Sequence, residues 1–211
     1  MRKLFRKRSS RGTALVETAI VVPLFCLLLF GSAECGYLFE DTFAVQNMVR
    51  GAARTAGAMG TQQAVDHYVL ESINDAASGI RGSQIKWISV YSYDSTTATG
   101  IPTGCGADFA GPVNTTASPQ GVPGKCNVYG PSDIPGYAGP GLAVTDFGAP
   151  NCTSKADADF CPTVRANTFP NPGVIGIYIR LDHNSITHLI FNNQRIERHV
   201  TFQLDPDISL L

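Results

Sequence analysis

Hydrophobic positions change rhythm along this chain, and each rhythm predicts a different element. Thr18 to Ala33 is an uncharged, mostly apolar run. Taken with Thr13–Val16 and Glu17, it would make a helix of about 31 Å at roughly 1.5 Å per residue, enough to cross a hydrocarbon core of about 30 Å. Beyond it, Leu38, Thr42, Val45, Val49, Ala52 and Ala56 recur at steps of four and three, while Glu40, Asp41, Gln46, Asn47, Arg50 and Arg54 fill much of the other surface. That is an amphipathic helix with one packing stripe. Together the two segments predict one helix from Thr13 to about Met59, on the order of 70 Å long. Pro23 is expected to kink it, because proline lacks the N–H that bonds one turn back. The second half is rich in small residues (Gly51, Ala52, Ala53, Ala56, Gly57, Ala58), which permit close helix approach. The stripe therefore covers either its own domain or another subunit.

Gly60-Thr61 breaks this helix. Gln63–Ala77 carries Val65, Val69, Ile73 and Ala76 at helical spacing and predicts a second, shorter helix closed by Gly79. From Ile85 through Trp87, Val90 and Tyr91 the pattern reads as a strand that ends near Asp94. Residues 95–172 are dominated by Gly, Pro, Thr, Ser and Asn, with Gly-Pro at 111–112, 130–131 and 139–140; such dipeptides mark turns. Val174–Leu181 is a strong strand, apolar in part on both faces. Ile186–Phe191 is a short apolar segment of either type, and Asn192-Asn193 offers a turn. Arg195–Leu204 alternates, with Ile196, Arg198, Val200 and Phe202 against Glu197, His199, Thr201 and Gln203, before Asp205-Pro206 stops the strand. The predicted class is α+β: a long N-terminal helix, membrane-spanning in its first half, packed on a small antiparallel sheet of at least three strands. In domain terms, residues 1–12 are a basic leader, 13–60 the long helix, and 61–211 an extracytoplasmic α+β domain with a loop-rich insert at 95–172.

Charge sharpens the first boundary. Six of the 16 Lys+Arg residues fall in the first twelve positions (Arg2, Lys3, Arg6, Lys7, Arg8, Arg11). The remaining chain carries 16 − 6 = 10 cations against 17 acids, a net of −7, which argues against a nucleic-acid domain. A short basic block before an apolar run is the signal that keeps an N-terminus cytoplasmic. The expected location is the inner or cytoplasmic membrane, single-pass, with the C-terminal domain outside the cytoplasm. A cleaved secretory signal ending at Ala33 is the rival reading. Glu17 inside the segment, Glu34 after the candidate site and a helical pattern running through that site disfavour it.

Cysteines divide in two. Cys26 and Cys35 lie in or just beyond the span. Cys105, Cys126, Cys152 and Cys161 fall in the insert, on the oxidising side of the membrane, and read as disulfides with three possible pairings. Their gaps of 20, 25 and 8 residues lack the close pairs of structural zinc sites. Crosslinks explain how so long a loop-rich stretch can belong to a compact domain.

No catalytic constellation stands out, and no cofactor is expected. There is no phosphate-binding loop, no dinucleotide glycine fingerprint and no His-Glu-x-x-His. His67, His183, His188 and His199 are scattered and read as surface or strand histidines. Asp157 and Asp159 lack the rest of a calcium loop and read as solvated turn residues. Asn114-Thr115-Thr116 and Asn151-Cys152-Thr153 match the glycosylation triplet, a weak signal. The site with a physical argument is the leader junction. An ionised carboxylate at mid-bilayer costs about 2.5–3.5 kcal/mol; Glu17, nearer the cytoplasmic end, costs less but still asks for compensation. Cleavage after Gly12 would create an amino group on Thr13, one helical turn away. With a pKa near 8 that group would be largely protonated and would neutralise Glu17 of its own or a neighbouring chain.

The stretch Arg11-Gly12-Thr13-Ala14-Leu15-Val16-Glu17, followed by Val22-Pro23-Leu24 and Glu34-Cys35-Gly36, resembles the class III prepilin-type leader and helix of the TadE-like pseudopilins. Gln46-Asn47 and the small-residue tract Gly51–Ala58 extend the likeness over about residues 9–58, and Leu204-Asp205-Pro206 weakly resembles the family's C-terminal end. The resemblance implies a minor pilin of a tight-adherence (Flp-type) pilus, cut by a prepilin peptidase between Gly12 and Thr13. Glu17 would then guide packing or initiation among other pilins and pilus-assembly membrane proteins. The chain would be an enzyme's substrate, not an enzyme. The insert at 95–172 departs from the family pattern and opens an alternative, a single-pass anchor that displays an adhesive binding module.

Overall fold

The computed structural model describes residues 11–78, 80, 84–111, 120–148, 152–153, 155–165, 167–168, 171–188 and 192–204. The basic leader through residue 10, the helix stop at Gly79, both glycosylation triplets in whole or part, Leu189–Phe191 and Asp205-Pro206 lie outside them.

Helix α1 runs from Arg11 to Met59 as one element through Pro23. In its apolar half, hydroxyls are returned to the helix backbone: Thr18 Oγ1 donates to the Ala14 carbonyl at 2.8 Å and Ser32 Oγ to the Leu29 carbonyl at 2.9 Å. This keeps polar side chains satisfied within an otherwise apolar stretch. The surface of this half is bare: Leu15, Ile20, Leu24, Phe25 and Leu28 are each more than 60% exposed. Among the described residues it is the one helix long and apolar enough to cross a membrane.

The second half of α1 is covered. Val45, Met48, Val49, Ala52, Ala53 and Ala56 are buried, so the predicted stripe packs on its own domain. Helix α2 (Val65–Ala77) lies against α1 and adds Val69, Leu70 and Ile73 to the same core.

Strands β1 (Gln84–Ser92), β2 (Gln120–Val122), β3 (Cys126–Tyr129), β6 (Val174–His183) and β7 (Gln194–Gln203) form an antiparallel sheet of order β2-β3-β1-β6-β7. Two-residue strands β4 (Asn167–Thr168) and β5 (Asn171–Pro172) pair separately. One face of the large sheet meets the helices through Ile85, Ile88, Val90, Ile175, Ile177, Ile179, Leu181 and Ile196. Ile85 and Ile88 share that face despite their odd spacing, because the β1–β6 register shifts between Ile85 and Trp87; a bulge resets the alternation. The opposite face carries Trp87, Tyr91, Val128 and Tyr178. Gly176 is required there, since a Cβ would stand 2.1 Å from Tyr91 Cζ.

The insert differs from expectation. It supplies β2 and β3 to the sheet, and all four residues of β3 are buried. Its disulfides pair neighbours in sequence, Cys105–Cys126 and Cys152–Cys161. The first bridges the segment covering Trp87 and Tyr91 to β3, with Ile101, Phe109 and Val122 packed beside it. The insert is therefore mostly loop, held by two short strands in the sheet and by the disulfides.

Candidate functional site

The residues of the expected leader junction lie at the start of α1. Gly12 is exposed, and a Cβ there would meet nothing within 4 Å. Glu17 is exposed within the bare apolar cylinder, between the exposed Val16 and Ile20. Gly12 and Glu17 thus lie within two turns on one helix, at its entry into the apolar segment, where sequence reasoning put them. The four insert cysteines are elsewhere, in the distal domain, and serve as crosslinks.

A second polar arrangement on α1 escaped the sequence reading. Glu34, the next acid after Glu17, is buried. Its Oε1 accepts hydrogen bonds from Ser185 Oγ (2.6 Å), Thr187 N–H (2.7 Å), Thr187 Oγ1 (2.6 Å) and His188 N–H (3.1 Å). His188 adopts a positive φ of 54°, costly for a non-glycine residue, at the point where its N–H turns to the carboxylate. Two helical turns further on, Asp41 Oδ2 meets His183 Nδ1 at 2.6 Å with both side chains buried. Asp41 therefore does not join the solvated surface of α1, as its neighbours Glu40 and Asn47 do. Together the two acids fasten the end of β6 and the segment after it to α1. Their spacing of seven residues was legible as one helix face; the donors, some 150 residues away, carry no periodic signal.

The third polar cluster sits between α2, β3 and the second disulfide loop. Asp66 Oδ2 accepts from Arg165 Nη2 (2.8 Å), Tyr129 Oη (2.7 Å) and Asn127 Nδ2 (2.9 Å). Arg165 also donates to the Phe160 carbonyl at 3.0 Å, and its guanidinium lies 4.7 Å from the centroid of the Phe160 ring. Asn127 completes the knot by accepting the Phe160 N–H at 2.7 Å. Burial and the Asp66 carboxylate push the Tyr129 phenol well above its ordinary range. Nearby, Asp157 is fully buried rather than solvated, and accepts from the Gly148 N–H at 3.1–3.2 Å. Burial first, and the Asp66 charge second, raise its pKa above the usual carboxylate value.

These groups hold elements together; none forms a nucleophile–base pair aimed at open space. Among the described residues no group of three or more His, Cys, Asp or Glu is placed to hold a metal ion. His67 is buried on α2, and His188 and His199 are exposed.

No curated protein and no solved structure matches the chain. A family does: residues 12–54 match the model described as TadE-like protein. The matched stretch begins at Gly12, contains Glu17, Glu34 and Asp41, and ends inside the buried stripe of α1, so the likeness to the TadE-like family covers the bare half of that helix and the start of its covered half.

Proposed function

We propose that the chain is a pseudopilin-like structural protein that joins or primes a tight-adherence pilus after its leader is removed. TadE-like proteins belong to tight-adherence pilus assembly and are structural, which makes other pilus-assembly proteins the partner class. The observation that carries the finer reading is the match over residues 12–54 falling on a bare apolar helix with Gly12 and Glu17 at its entry. A prepilin peptidase would cut between Gly12 and Thr13, leaving the α-amino group of Thr13 near the Glu17 carboxylate. The basic block, Arg2 to Arg11, would hold that end in the cytoplasm, with the disulfide-bonded domain on the outside.

Mass spectrometry of the protein from its native membrane tests this directly. The expected mature N-terminus is Thr13. An intact Met1, or a cut after Ala33, would overturn the reading. Gly12→Phe should leave the chain uncut, whereas Glu17→Ala should be cut normally and fail to assemble. Deleting residues 95–172 to test the adhesive alternative would remove β2, β3 and the Arg165 partner of Asp66. Point substitutions on the insert's exposed loops are the cleaner probe.

A further inference from the structure

The cap on Glu34 changes where the membrane ends. Outward from Glu17, the next acid in sequence is Glu34, which would place the outer boundary of the bilayer near Ala33. Glu34 is not on the surface, however. Four donors from residues 185–188 converge on its Oε1, and the side chain is buried. The next charge that α1 exposes is Glu40. Residues 18–39 are therefore free of exposed charge and span about 33 Å at roughly 1.5 Å per residue, close to a hydrocarbon thickness of about 30 Å.

The two sides of the helix differ at this level. At about 100° per residue, Gly36, Phe39 and Phe43 fall on the side of α1 opposite Glu34. All three are exposed, both phenylalanines at 62%. On the capped side, Ile186 projects from the capping segment and is 66% exposed, flanked by the two residues whose hydroxyls bind Glu34. An irregular segment is tolerated at such depth only where its backbone groups are satisfied by protein or lie at the polar boundary. The N–H groups of Thr187 and His188 are satisfied by Glu34.

We propose that residues 185–188 are an interfacial cap, and that the partner of this surface is the lipid bilayer. The cap masks Glu34, so that the outer boundary on the open side of α1 falls at Phe39–Glu40 rather than at Ala33. Ile186, held level with Glu34 and so about 8 Å inside that boundary at roughly 1.5 Å per residue, enters the apolar layer from the domain side. A bilayer centred on residues 18–39 also places Glu17 at the cytoplasmic edge instead of within the hydrocarbon. This inference rests on the reading of α1 as a membrane anchor, and continuity with that anchor identifies lipid as the occupant.

Full-length protein reconstituted in phosphatidylcholine vesicles, with Cys26→Ser and Cys35→Ser, tests it by labelling single cysteines with a membrane-impermeant maleimide. Phe25→Cys and Gly36→Cys should both resist labelling until detergent is added; position 36 has room for the new side chain. Combining Gly36→Cys with Ser185→Ala and Thr187→Val should raise its labelling rate about tenfold, the shift expected from restoring about half the insertion cost of one carboxylate. Adding Glu34→Gln to that variant should return the rate to its low value, because the uncapped side chain is then neutral. Rapid labelling at position 36 with position 25 protected would overturn the cap proposal alone. Rapid labelling at both would overturn the anchor reading, and the cap with it. Protection at position 36 that vanishes as protein is diluted into excess lipid would assign the surface to a second copy and also overturn the proposal.

Discussion

The two halves of α1 are continuous in backbone and opposite in how they treat apolar surface. Between Leu15 and Phe30 the large side chains point outward all round the helix and none of the described residues covers them. Between Val45 and Ala56 the apolar residues keep to one stripe, and α2 and the sheet bury it. Acids follow the same division. Glu17 is exposed in the bare half, while Glu34 and Asp41, at and beyond the transition, are enclosed by donors from the end of β6 and the segment after it. A helix apolar on all sides is made for a solvent other than water, and one apolar on a single stripe is made for its own domain. The change occurs over Glu34–Asp41, where the fold secures the helix with hydrogen bonds rather than with apolar contact alone.

The largest test of this division is the domain that supplies the cover. Arg165→Ala would leave the Asp66 carboxylate buried without its cation, which typically costs about 3–5 kcal/mol. Denaturation of the full chain in detergent, followed by the fluorescence of Trp87, should show that loss. Far-ultraviolet dichroism should meanwhile retain the signal of the bare half of α1, which owes nothing to the domain. A cost below about 1 kcal/mol, the range of a surface pair, would mean that the knot around Asp66 does not hold the cover in place. Met48 and Leu24 offer a direct comparison within one helix. Met48 is fully buried, so Met48→Ala should cost about 2–5 kcal/mol. Leu24→Ala should leave detergent-phase stability unchanged. Equal effects would erase the distinction between the halves.

The disulfides bear on the distal side of the comparison. Cys105 and Cys126 close a loop with a sequence separation of 21, against 9 for Cys152 and Cys161. Replacing the first pair by serine should lower stability by about 2–4 kcal/mol, and the second pair by somewhat less, since loop closure entropy grows with loop length. Parallel denaturation of the two double variants checks the order. Reversal would mean that the Cys152–Cys161 loop contributes through the Phe160–Asn127–Arg165 knot beside it rather than through chain entropy.

What the sequence made legible follows from the same physics. Period and length were enough for α1, α2, β1, β6 and β7, because each buries a face through local repetition. The stripe of α1 was equally plain, but its partner was not, since small residues at Ala52 and Ala56 suit a sheet, a second helix of the domain or another subunit alike. Strand β3 was missed because its four residues, Cys-Asn-Val-Tyr, are too short for alternation to register among glycines and prolines. Asp41, Asp66 and Asp157 were read as surface acids or passed over. A buried acid is identified by its partners, and these lie up to 142 residues away, as with Asp41 and His183. The sequence did suggest the insert cysteines as crosslinks, which the structure pairs, and Gly12 and Glu17 as a candidate junction, because those residues lie close together in the chain.

The smallest expected effect concerns Asp157, and its sign distinguishes two kinds of buried acid in the covered region. Asp66 has a cation against it, whereas Asp157 has a backbone N–H and, nearby, the like charge of Asp66. Burial and that charge raise the Asp157 pKa in the folded protein above its unfolded value. A raised acid binds its proton more tightly when folded. Its contribution therefore favours the fold at low pH and is lost as pH rises from the ordinary aspartate value through the higher folded one. Asp157→Asn keeps an oxygen for the Gly148 N–H and removes the charge. At neutral pH the variant should be as stable as the parent or slightly more so. As pH falls through that window, the parent should gain on the variant, and the difference between the two cancels every other titrating group they share. Denaturant midpoints for both proteins from pH 7 down to pH 4 give the comparison. A variant that instead gains on the parent toward acid would show that the Asp157 charge is stabilised in the fold.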